Sequence, residues 1–318
     1  MILDFHSDIW TDVSRRRLQG EQDVLRREHL ERLRRGGVEG SVFVIWAEPD
    51  DPAGDTVRIM AQVKEELAQC DAVRAVHTCE EMRQAVRDGV FYIWLGVEGM
   101  AAIGDQVERI DEYYDFGVRT AMLTWNEENA LATGARGSAD RGLTEAGRRA
   151  VRRIQEKKML MDVSHLNEKS FWDVADAASA PICASHSNAR ALCDVPRNLT
   201  DDQLRAIRDL GGVVGLNSCR AFIAPEREAQ TVQQLARHAV HMIDVMGIDH
   251  VGCGFDFCEF IDEPGSPLLS QGVYTSGFEN ASRIPNLFEE FTKMGMSGRE
   301  QEKIARGNFQ ALLERTVG

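Results

Sequence analysis

Short apolar runs alternate with longer stretches of helical periodicity along the entire sequence. Eight runs rich in Val, Ile and Phe are each followed by a stretch in which apolar residues recur every three or four positions. This order predicts parallel strands joined by right-handed helical crossovers. The predicted strands are residues 2–6, 41–46, 91–97, 119–125, 160–165, 181–186, 212–217 and 250–256.

A closed (β/α)8 barrel of the TIM type is the simplest α/β fold for eight such units. An open, doubly wound sheet is the alternative, but it normally carries a glycine-rich phosphate loop after its first strand, and the sequence has none. Residues 72–77 and a helix over 79–87 interrupt the alternation as an insertion. No linker divides the sequence, so we predict one barrel domain over residues 1–318, with helices at its C-terminal end.

Composition and cysteine content disfavour several classes of partner and of structure. The net charge of −14 disfavours binding to nucleic acid, whose phosphates an acidic surface repels. No leader, anchor or long apolar run is present, so we expect a cytoplasmic protein without a membrane partner. Seven cysteines without a CxxC pair argue against a disulfide framework. The apolar surroundings of Cys183, Cys219 and Cys253 predict buried core thiols.

Histidines and carboxylates are concentrated at the predicted C-terminal ends of the strands, where barrels carry their active sites. The last residues of the runs include His6, Asp8, Glu98, His165, His186 and Asp256, with Glu48 after the second run as a weaker candidate. Each residue alone has an ordinary structural explanation, because short motifs such as HxD occur often by chance. Their joint occurrence at several strand ends is not expected from packing and predicts a metal centre.

Histidine and carboxylate together suit zinc, manganese or iron, with zinc as the default. His6 and Asp8 have the spacing that directs both side chains to one face of a strand, so they can hold one ion. Glu98 can bridge two ions through its two oxygens, and His165 and His186 can complete the second site. The sequence therefore predicts two divalent metal ions.

Four other residues have weaker claims. His238 and His241 have a spacing that could bind a metal, but their helix is ordinary, which favours core or surface roles. Asp4 and Asp162 are candidates to accept hydrogen bonds from metal-bound histidines, because they lie close to them in the sequence. The loops 222–230 and 259–277 are expected to shape the substrate pocket.

Seven strings, in order and over nearly the whole chain, resemble the membrane (renal-type) dipeptidase family of amidohydrolase-like metal barrels. They are HSD at 6–8, GVEG at 96–99, LT at 143–144, MDVSH at 161–165, SHSNAR at 185–190, PRN at 196–198 and GFD at 254–256. The resemblance implies a binuclear zinc dipeptidase with the same five ligands and with Glu98 as the bridge. It further implies that Asp256 acts near the scissile amide, that Arg197 binds the free carboxylate of the substrate, and that the protein forms a homodimer.

One position departs from the family pattern. Animal members carry a histidine after the Leu-Thr of the fourth strand, and this chain has Trp125 there. An indole N–H can donate a hydrogen bond but cannot accept a proton, and the neighbouring Asn126 can also donate. We therefore expect Trp125 and Asn126 to contact the substrate and to change its preferred chemistry. In the expected lack of a leader, the sequence is similar to bacterial-type cytoplasmic members of the family.

The reaction expected from these residues is hydrolysis of small dipeptides, L-L and by extension L-D, by a hydroxide that bridges the two metals. Asp256, together with the bridging Glu98, forms the catalytic pair, and Asp256 either moves a proton to the leaving amine or holds the substrate's ammonium. A surface salt bridge is the alternative role for Arg197. Another binuclear amidohydrolase acting on N-acyl amino acids, lactones or phosphoesters stays open, because a fold does not fix a function. A non-catalytic metal-binding protein is the alternative of another class.

Overall fold

The computed structural model describes residues 1–261 and 274–318, and its core is one parallel sheet of nine strands. The hydrogen-bonded order is β1-β2-β4-β5-β6-β7-β8-β9, and β3 pairs with β4 outside this path. The strands are β1 (Ile2–Ser7), β2 (Val38–Trp46), β3 (Val73–Val76), β4 (Phe91–Glu98), β5 (Val118–Met122), β6 (Leu160–Asp162), β7 (Ile182–Ala184), β8 (Val213–Leu216) and β9 (Val251–Cys253).

Helices follow the strands and pack around the sheet. They are α1 (Ile9–Leu18), α2 (Leu30–Arg35), α3 (Pro52–Gln69), α4 (Cys79–Asp88), α5 (Ile110–Phe116), α6 (Glu145–Glu156), α7 (Glu168–Ala177), α8 (Asp201–Asp209), α9 (Val232–Met246), α10 (Ile284–Lys293), α11 (Gly298–Glu302) and α12 (Asn308–Thr316). Side-chain caps stabilise the N-termini of several helices. At the start of α6, for example, the Thr144 hydroxyl accepts a hydrogen bond from the Gly147 amide at 3.0 Å. In residues 1–261 and 274–318, no helix has the length and apolar character needed to cross a membrane.

The first and last strands meet and nearly close the barrel. The Phe255 amide donates to the Asp4 carboxylate at 2.8 Å, and the Asp256 amide donates to the His6 carbonyl at 3.3 Å. The insertion predicted from the sequence is the β3–α4 unit. β3 pairs with the N-terminal half of β4, and β5 pairs with its C-terminal half. The predicted (β/α)8 fold is therefore confirmed.

Apolar side chains fill the N-terminal half of the barrel and leave its other end to polar groups. Leu3, Phe5, Val44 and Trp94 are buried together there. Phe309 from α12 covers this end and stacks on Phe5 with ring centroids 3.8 Å apart. The larger apolar cluster lies between the sheet and the surrounding helices. The barrel floor is thus a packed core, as in barrels that carry their active sites at the C-terminal ends of the strands.

Several predicted strands extend too far at their C-terminal ends. The run 160–165 leaves regular pairing after Asp162, and the run 250–256 leaves it after Cys253. His165 and Asp256 have φ angles of 68° and 56°, which a strand cannot accommodate. His165 and Asp256 therefore lie on turns just beyond their strands, whereas His6 and Glu98 lie within β1 and β4. Helix α1 was missing from the prediction.

Candidate metal centre

Four side chains from distant parts of the sequence form one half of a polar cluster at the C-terminal end of the barrel. Nε2 of His6 lies 3.8 Å from Asp8 Oδ2, 3.8 Å from Glu98 Oε2 and 3.9 Å from Asp256 Oδ1. His6 lies on β1, at a place where the register of this strand against β2 shifts between Asp4 and Ser7. The result is one buried nitrogen surrounded by three carboxylates.

Two further histidines form the other half of the cluster around the second oxygen of Glu98. Nε2 of His165 lies 2.8 Å from Glu98 Oε1 and 2.8 Å from His186 Nε2. The opposite ring nitrogens are held by other groups. His165 Nδ1 lies 3.0 Å from Asn126 Oδ1, and His186 Nδ1 lies 2.7 Å from Ser185 Oγ. Each oxygen of Glu98 therefore faces a different set of histidine nitrogens.

The hydrogen bonding of His165 leaves a lone pair directed at the carboxylate. Burial lowers the pKa of His165 and His186 well below the usual value, so both rings are neutral. Asn126 Oδ1 can only accept, so the proton of His165 is on Nδ1 and its Nε2 is bare. The bare Nε2 of His165 lies 2.8 Å from Glu98 Oε1, so these two atoms repel each other unless a proton or a metal ion lies between them. This donor set fits a divalent metal ion.

The first half of the cluster also fits a cation. His6 is fully buried, and its Nε2 has no hydrogen-bond partner among the described residues. Burial opposes a charge on this ring, yet Glu98, Asp8 and Asp256 together raise the pKa of His6 to about 10. Burial, assisted by Asp8, also raises the pKa of Glu98 well above its usual value. The carboxylates are therefore crowded together in a buried site, and a metal ion would neutralise them.

Backbone conformation adds evidence for a constrained site. His165 and Asp256 are left-handed residues without the freedom of glycine, a conformation that costs about 1 to 3 kcal/mol each. Asp256 is held by its amide on the His6 carbonyl and by Asn217 Nδ2, which donates to Asp256 Oδ2 at 3.0 Å. Burial raises the pKa of Asp256 to about 6. Strain of this kind persists only where the surroundings fix the chain.

Two glycines permit the close packing beneath the cluster. A Cβ atom would lie 1.9 Å from the Ser185 carbonyl oxygen at Gly215 and 1.7 Å from it at Gly254. Their absent side chains let β7, β8 and β9 approach closely and fix Ser185. Its hydroxyl lies 2.7 Å from His186 Nδ1 and 3.4 Å from His6 Nδ1, so one residue orients a ring from each half of the cluster.

A cavity of about 550 Å³ opens above these groups. Trp125, Asn126 and Arg197 all line it, as do Asp8, Glu98, His165 and Asp256. Sequence reasoning missed further lining residues that no motif marks, among them Trp46, Arg136, Phe257 and Cys258. Phe222, Ile261 and Tyr274 line the cavity from the two predicted pocket loops, of which residues 262–273 lie outside the described chain.

Arg197 is directed inward rather than into a surface salt bridge. Its Nη2 donates to the His186 carbonyl at 3.3 Å, and its guanidinium lies 5.5 Å from the ring centre of Phe222. Its Nε is buried without a hydrogen-bond partner, and no carboxylate within the described chain lies in ion-pair distance of it. Burial lowers the pKa of Arg197, while Asp256 and Glu98 oppose that change.

Trp125 and Asn126 have different surroundings. The Trp125 ring meets Trp46 edge to face, with centroids 5.3 Å apart, and forms a wall of the cavity. Asn126 directs its carbonyl oxygen to His165. The Trp125 ring thus faces the cavity, whereas the oxygen of Asn126 is engaged with a histidine.

Several weaker sequence interpretations are wrong. Glu48 is exposed and does not line the cavity, because the chain turns outward after β2. Cys219 lies in the cavity wall and not in the core, although Cys183 and Cys253 are buried as predicted. The carboxylates of Asp4 and Asp162 accept hydrogen bonds from backbone amides instead of histidines. His238 and His241 have the predicted core and surface roles: His238 is buried, and His241 contacts Asp201.

Comparison with known proteins gives consistent similarities. The family model described as membrane dipeptidase, peptidase family M19, matches residues 1–317. An uncharacterized protein encoded in the pqqA 5' region of Klebsiella pneumoniae is 36% identical over 247 residues, which cover 73% of this chain and 91% of that protein. An uncharacterized dipeptidase of Schizosaccharomyces pombe is 29% identical over 320 residues, which cover 93% of this chain and 73% of that protein.

Two solved structures of metallopeptidases are also similar to this chain. A metallo peptidase from Rhodobacter sphaeroides, liganded with a phosphinate mimic of the dipeptide L-Ala-D-Ala, is 27% identical, with a TM-score of 0.87 and 99% of both chains covered. A dipeptidase described as a metallo peptidase of family M19 is also 27% identical, with a TM-score of 0.88 and coverage of 100% of this chain and 99% of the other.

Proposed function

Because the chain belongs to the membrane dipeptidase family, peptidase family M19, and is a metallopeptidase, we propose that it is a zinc-dependent dipeptidase with two metal ions in the described cluster. The observation that carries the proposal is the convergence of histidine nitrogens on both oxygens of one buried glutamate. His6 and Asp8 would hold one ion, His165 and His186 the other, and Glu98 both. When bound, such ions acidify a water molecule to give the nucleophile and polarise the scissile carbonyl.

Arg197 would bind the free carboxylate of the substrate. It is a cavity-lining cation without an ion-pair partner in the described chain, and its Nε lacks a hydrogen bond. A guanidinium matches a carboxylate through two parallel hydrogen bonds. The position of Arg197 therefore supports the proposal of a short substrate, whose C-terminus lies near the metal centre.

Asp256 would transfer the proton from the attacking water to the leaving amine. Its Oδ1 faces His6 in the metal cluster, and Asn217 holds its Oδ2. From this position the carboxylate can accept the proton of the attacking water and deliver it to the leaving amine. The same oxygen could instead bind the substrate's ammonium, and a substrate without an ammonium group separates these two roles.

The cavity wall supports a small substrate with apolar side chains. Trp46, Trp125, Phe222 and Phe257 contribute rings to it. The Rhodobacter metallo peptidase binds a mimic of an L-D dipeptide, which supports inclusion of L-D substrates in the proposal. The cytoplasmic location, the homodimer and the lack of nucleic-acid and membrane partners stay predictions.

The test is hydrolysis of a panel of L-L dipeptides, L-D dipeptides and one N-acyl amino acid by the purified protein, before and after zinc loading. We expect zinc-dependent release of free amino acids from dipeptides and a loss of at least about a hundredfold in Glu98→Gln, because the bridging charge is removed. Turnover of the N-acyl amino acid alone would instead identify the other type of amidohydrolase. A zinc-loaded protein that cleaves neither would contradict the proposal.

A further inference from the structure

We propose, on the basis of the proposed metal centre, that the sulfur of Cys258 is a further ligand of the ion held by His6 and Asp8. The site would then offer nitrogen, oxygen and sulfur to a single metal. Binding would form one metal–sulfur bond and release the thiol proton to solvent.

The position of the thiol carries the inference. Sγ of Cys258 lies 3.3 Å from Asp256 Oδ1 and 3.8 Å from Asp8 Oδ2. Zinc binds sulfur at about 2.3 Å and oxygen or nitrogen at about 2.1 Å, so two ligands of one ion lie roughly 3 to 4 Å apart. Both distances from Cys258 fall within that range.

His6 gives an independent indication of an ion at this position. Its Nε2 is buried without a hydrogen-bond partner in the described chain, and it faces the same two carboxylate oxygens at 3.8 and 3.9 Å. The thiol and the imidazole therefore face one pair of oxygens. The donor atoms of His6, Asp8 and Asp256 lie within 4.8 Å of one another, and the thiol of Cys258 lies against the two carboxylates of this group.

The turn after β9 produces this placement. Asp256 has a left-handed backbone, which folds the next two residues back toward its own side chain. Cys258 Sγ consequently lies 3.4 Å from the Asp256 carbonyl as well as near its carboxylate. Cys219 lines the same cavity from the loop after β8, but its sulfur makes no hydrogen bond to these carboxylates within residues 1–261 and 274–318.

A sulfur ligand changes which metals the site prefers. Thiolates favour soft or borderline ions such as Cd²⁺ and Zn²⁺, whereas Mn²⁺ prefers oxygen ligands. A centre formed only by histidine and carboxylate would discriminate less between these ions. Cys258 is therefore expected to raise the affinity for Cd²⁺ much more than that for Mn²⁺.

The experiment is a Cd²⁺ titration of the metal-free protein, followed by the ultraviolet absorption of the sulfur-to-cadmium charge transfer. We expect this band in the wild type and in Cys219→Ser, and its loss in Cys258→Ser. Calorimetry should show that the ratio of Cd²⁺ to Mn²⁺ affinity falls at least about tenfold in Cys258→Ser. Cys219→Ser is the matched control, since it removes a thiol from the same cavity.

Either of two results would overturn the inference. One is Cd²⁺ binding to the wild type without the band, which needs no variant to interpret. The other is a band that survives in Cys258→Ser or disappears in Cys219→Ser. Dipeptide hydrolysis is measured separately. Activity without the absorption band would support the proposed function and refute Cys258 as a ligand. The band without activity would support Cys258 as a ligand and refute the proposed function.

Discussion

Asn126 Oδ1 accepts a hydrogen bond from His165 Nδ1 at 3.0 Å, and this single contact determines which nitrogen of His165 faces Glu98. The asparagine follows β5 and the histidine follows β6, so neighbouring strand ends supply the proposed ligand and the group that orients it. Partners of this kind fix the tautomer and the ring angle of a metal-bound histidine.

Replacement of Asn126 by alanine should weaken metal retention about 10- to 100-fold, because His165 would lose the acceptor that holds its ring. Competition with a chromogenic chelator measures this affinity. Asn126→Asp is the control, since a carboxylate still accepts from Nδ1, and it should retain the metal. Equal affinity in the wild type and Asn126→Ala would show that the contact is unimportant for binding.

Glu98→Gln should stabilise the metal-free protein while it removes activity. Burial and Asp8 raise the pKa of Glu98 well above its usual value, so a charge at this position opposes folding when no metal neutralises it. A neutral amide avoids that cost, and we expect a gain of about 1 kcal/mol or more in the free energy of unfolding at pH 8. Urea denaturation with a chelator present measures it. A less stable variant would argue against carboxylate crowding.

Arg197→Met should raise KM for dipeptides about a hundredfold, because it removes charge-assisted hydrogen bonds to the C-terminal carboxylate. Dipeptides with a C-terminal amide provide the comparison. The wild type should strongly prefer the free acid, and the variant should treat acid and amide alike. Preference for the acid that persists in Arg197→Met would place the carboxylate elsewhere.

His238 should make stability depend on pH. It donates to the Ile223 carbonyl through Nε2 and accepts from the Ala189 amide through Nδ1, and burial lowers its pKa from 6.5 to about 4. The unfolded chain therefore takes up a proton below pH 6.5 that the folded chain does not. This group alone should cost about 2 kcal/mol of stability between pH 7 and pH 5.

Denaturation of the metal-free protein at both pH values measures that loss, with His238→Gln as the comparison. Glutamine can still donate to Ile223 but does not titrate, so the variant should lose about 2 kcal/mol less than the wild type on acidification. Identical losses in the two proteins would mean that His238 does not cause the pH dependence.

Gly254→Ala should destabilise the protein by about 3 kcal/mol or prevent folding, because the new methyl group would meet the Ser185 carbonyl oxygen at 1.7 Å. Gly298→Ala is the matched control at the start of α11. No atom of the described chain lies within 4 Å of the position that its Cβ would take, so the change should be neutral or stabilise by up to about 1 kcal/mol. Thermal unfolding compares the two.

The predicted barrel and the location of the polar cluster follow from one rule: parallel strands bring their C-terminal ends together. That rule brought His6, Glu98 and His165 together although they are far apart in sequence, and the structure places them within hydrogen-bonding or ion-pair distance. The roles of these residues as ligands stay predictions. Strand lengths were less accurate, because left-handed turns such as the one at Asp256 carry no signal in a single sequence.

Other features depend on contacts that spacing does not encode. Helix α1 was missed because its buried face includes Asp12, Ser14 and Arg17, which weakens the apolar pattern, and because it begins directly after β1 without a side-chain cap. Cys258 had no motif, since only the backbone turn at Asp256 brings its sulfur to the carboxylates. Sequence proximity likewise failed for Asp162, whose Oδ1 accepts hydrogen bonds from the backbone amides of Ser164 and Ser185 and not from a histidine.

The closure between Asp4 and the Phe255 amide has a consequence for synthesis on the ribosome. The first strand emerges early but has no partner on its outer edge until some 250 residues later. Closing so large a loop is slow, and an unpaired edge invites association with other chains. Because His6 and Asp256 meet only at this seam, a nascent chain cannot assemble the complete proposed metal centre, and a metal bound there would stabilise only the finished protein.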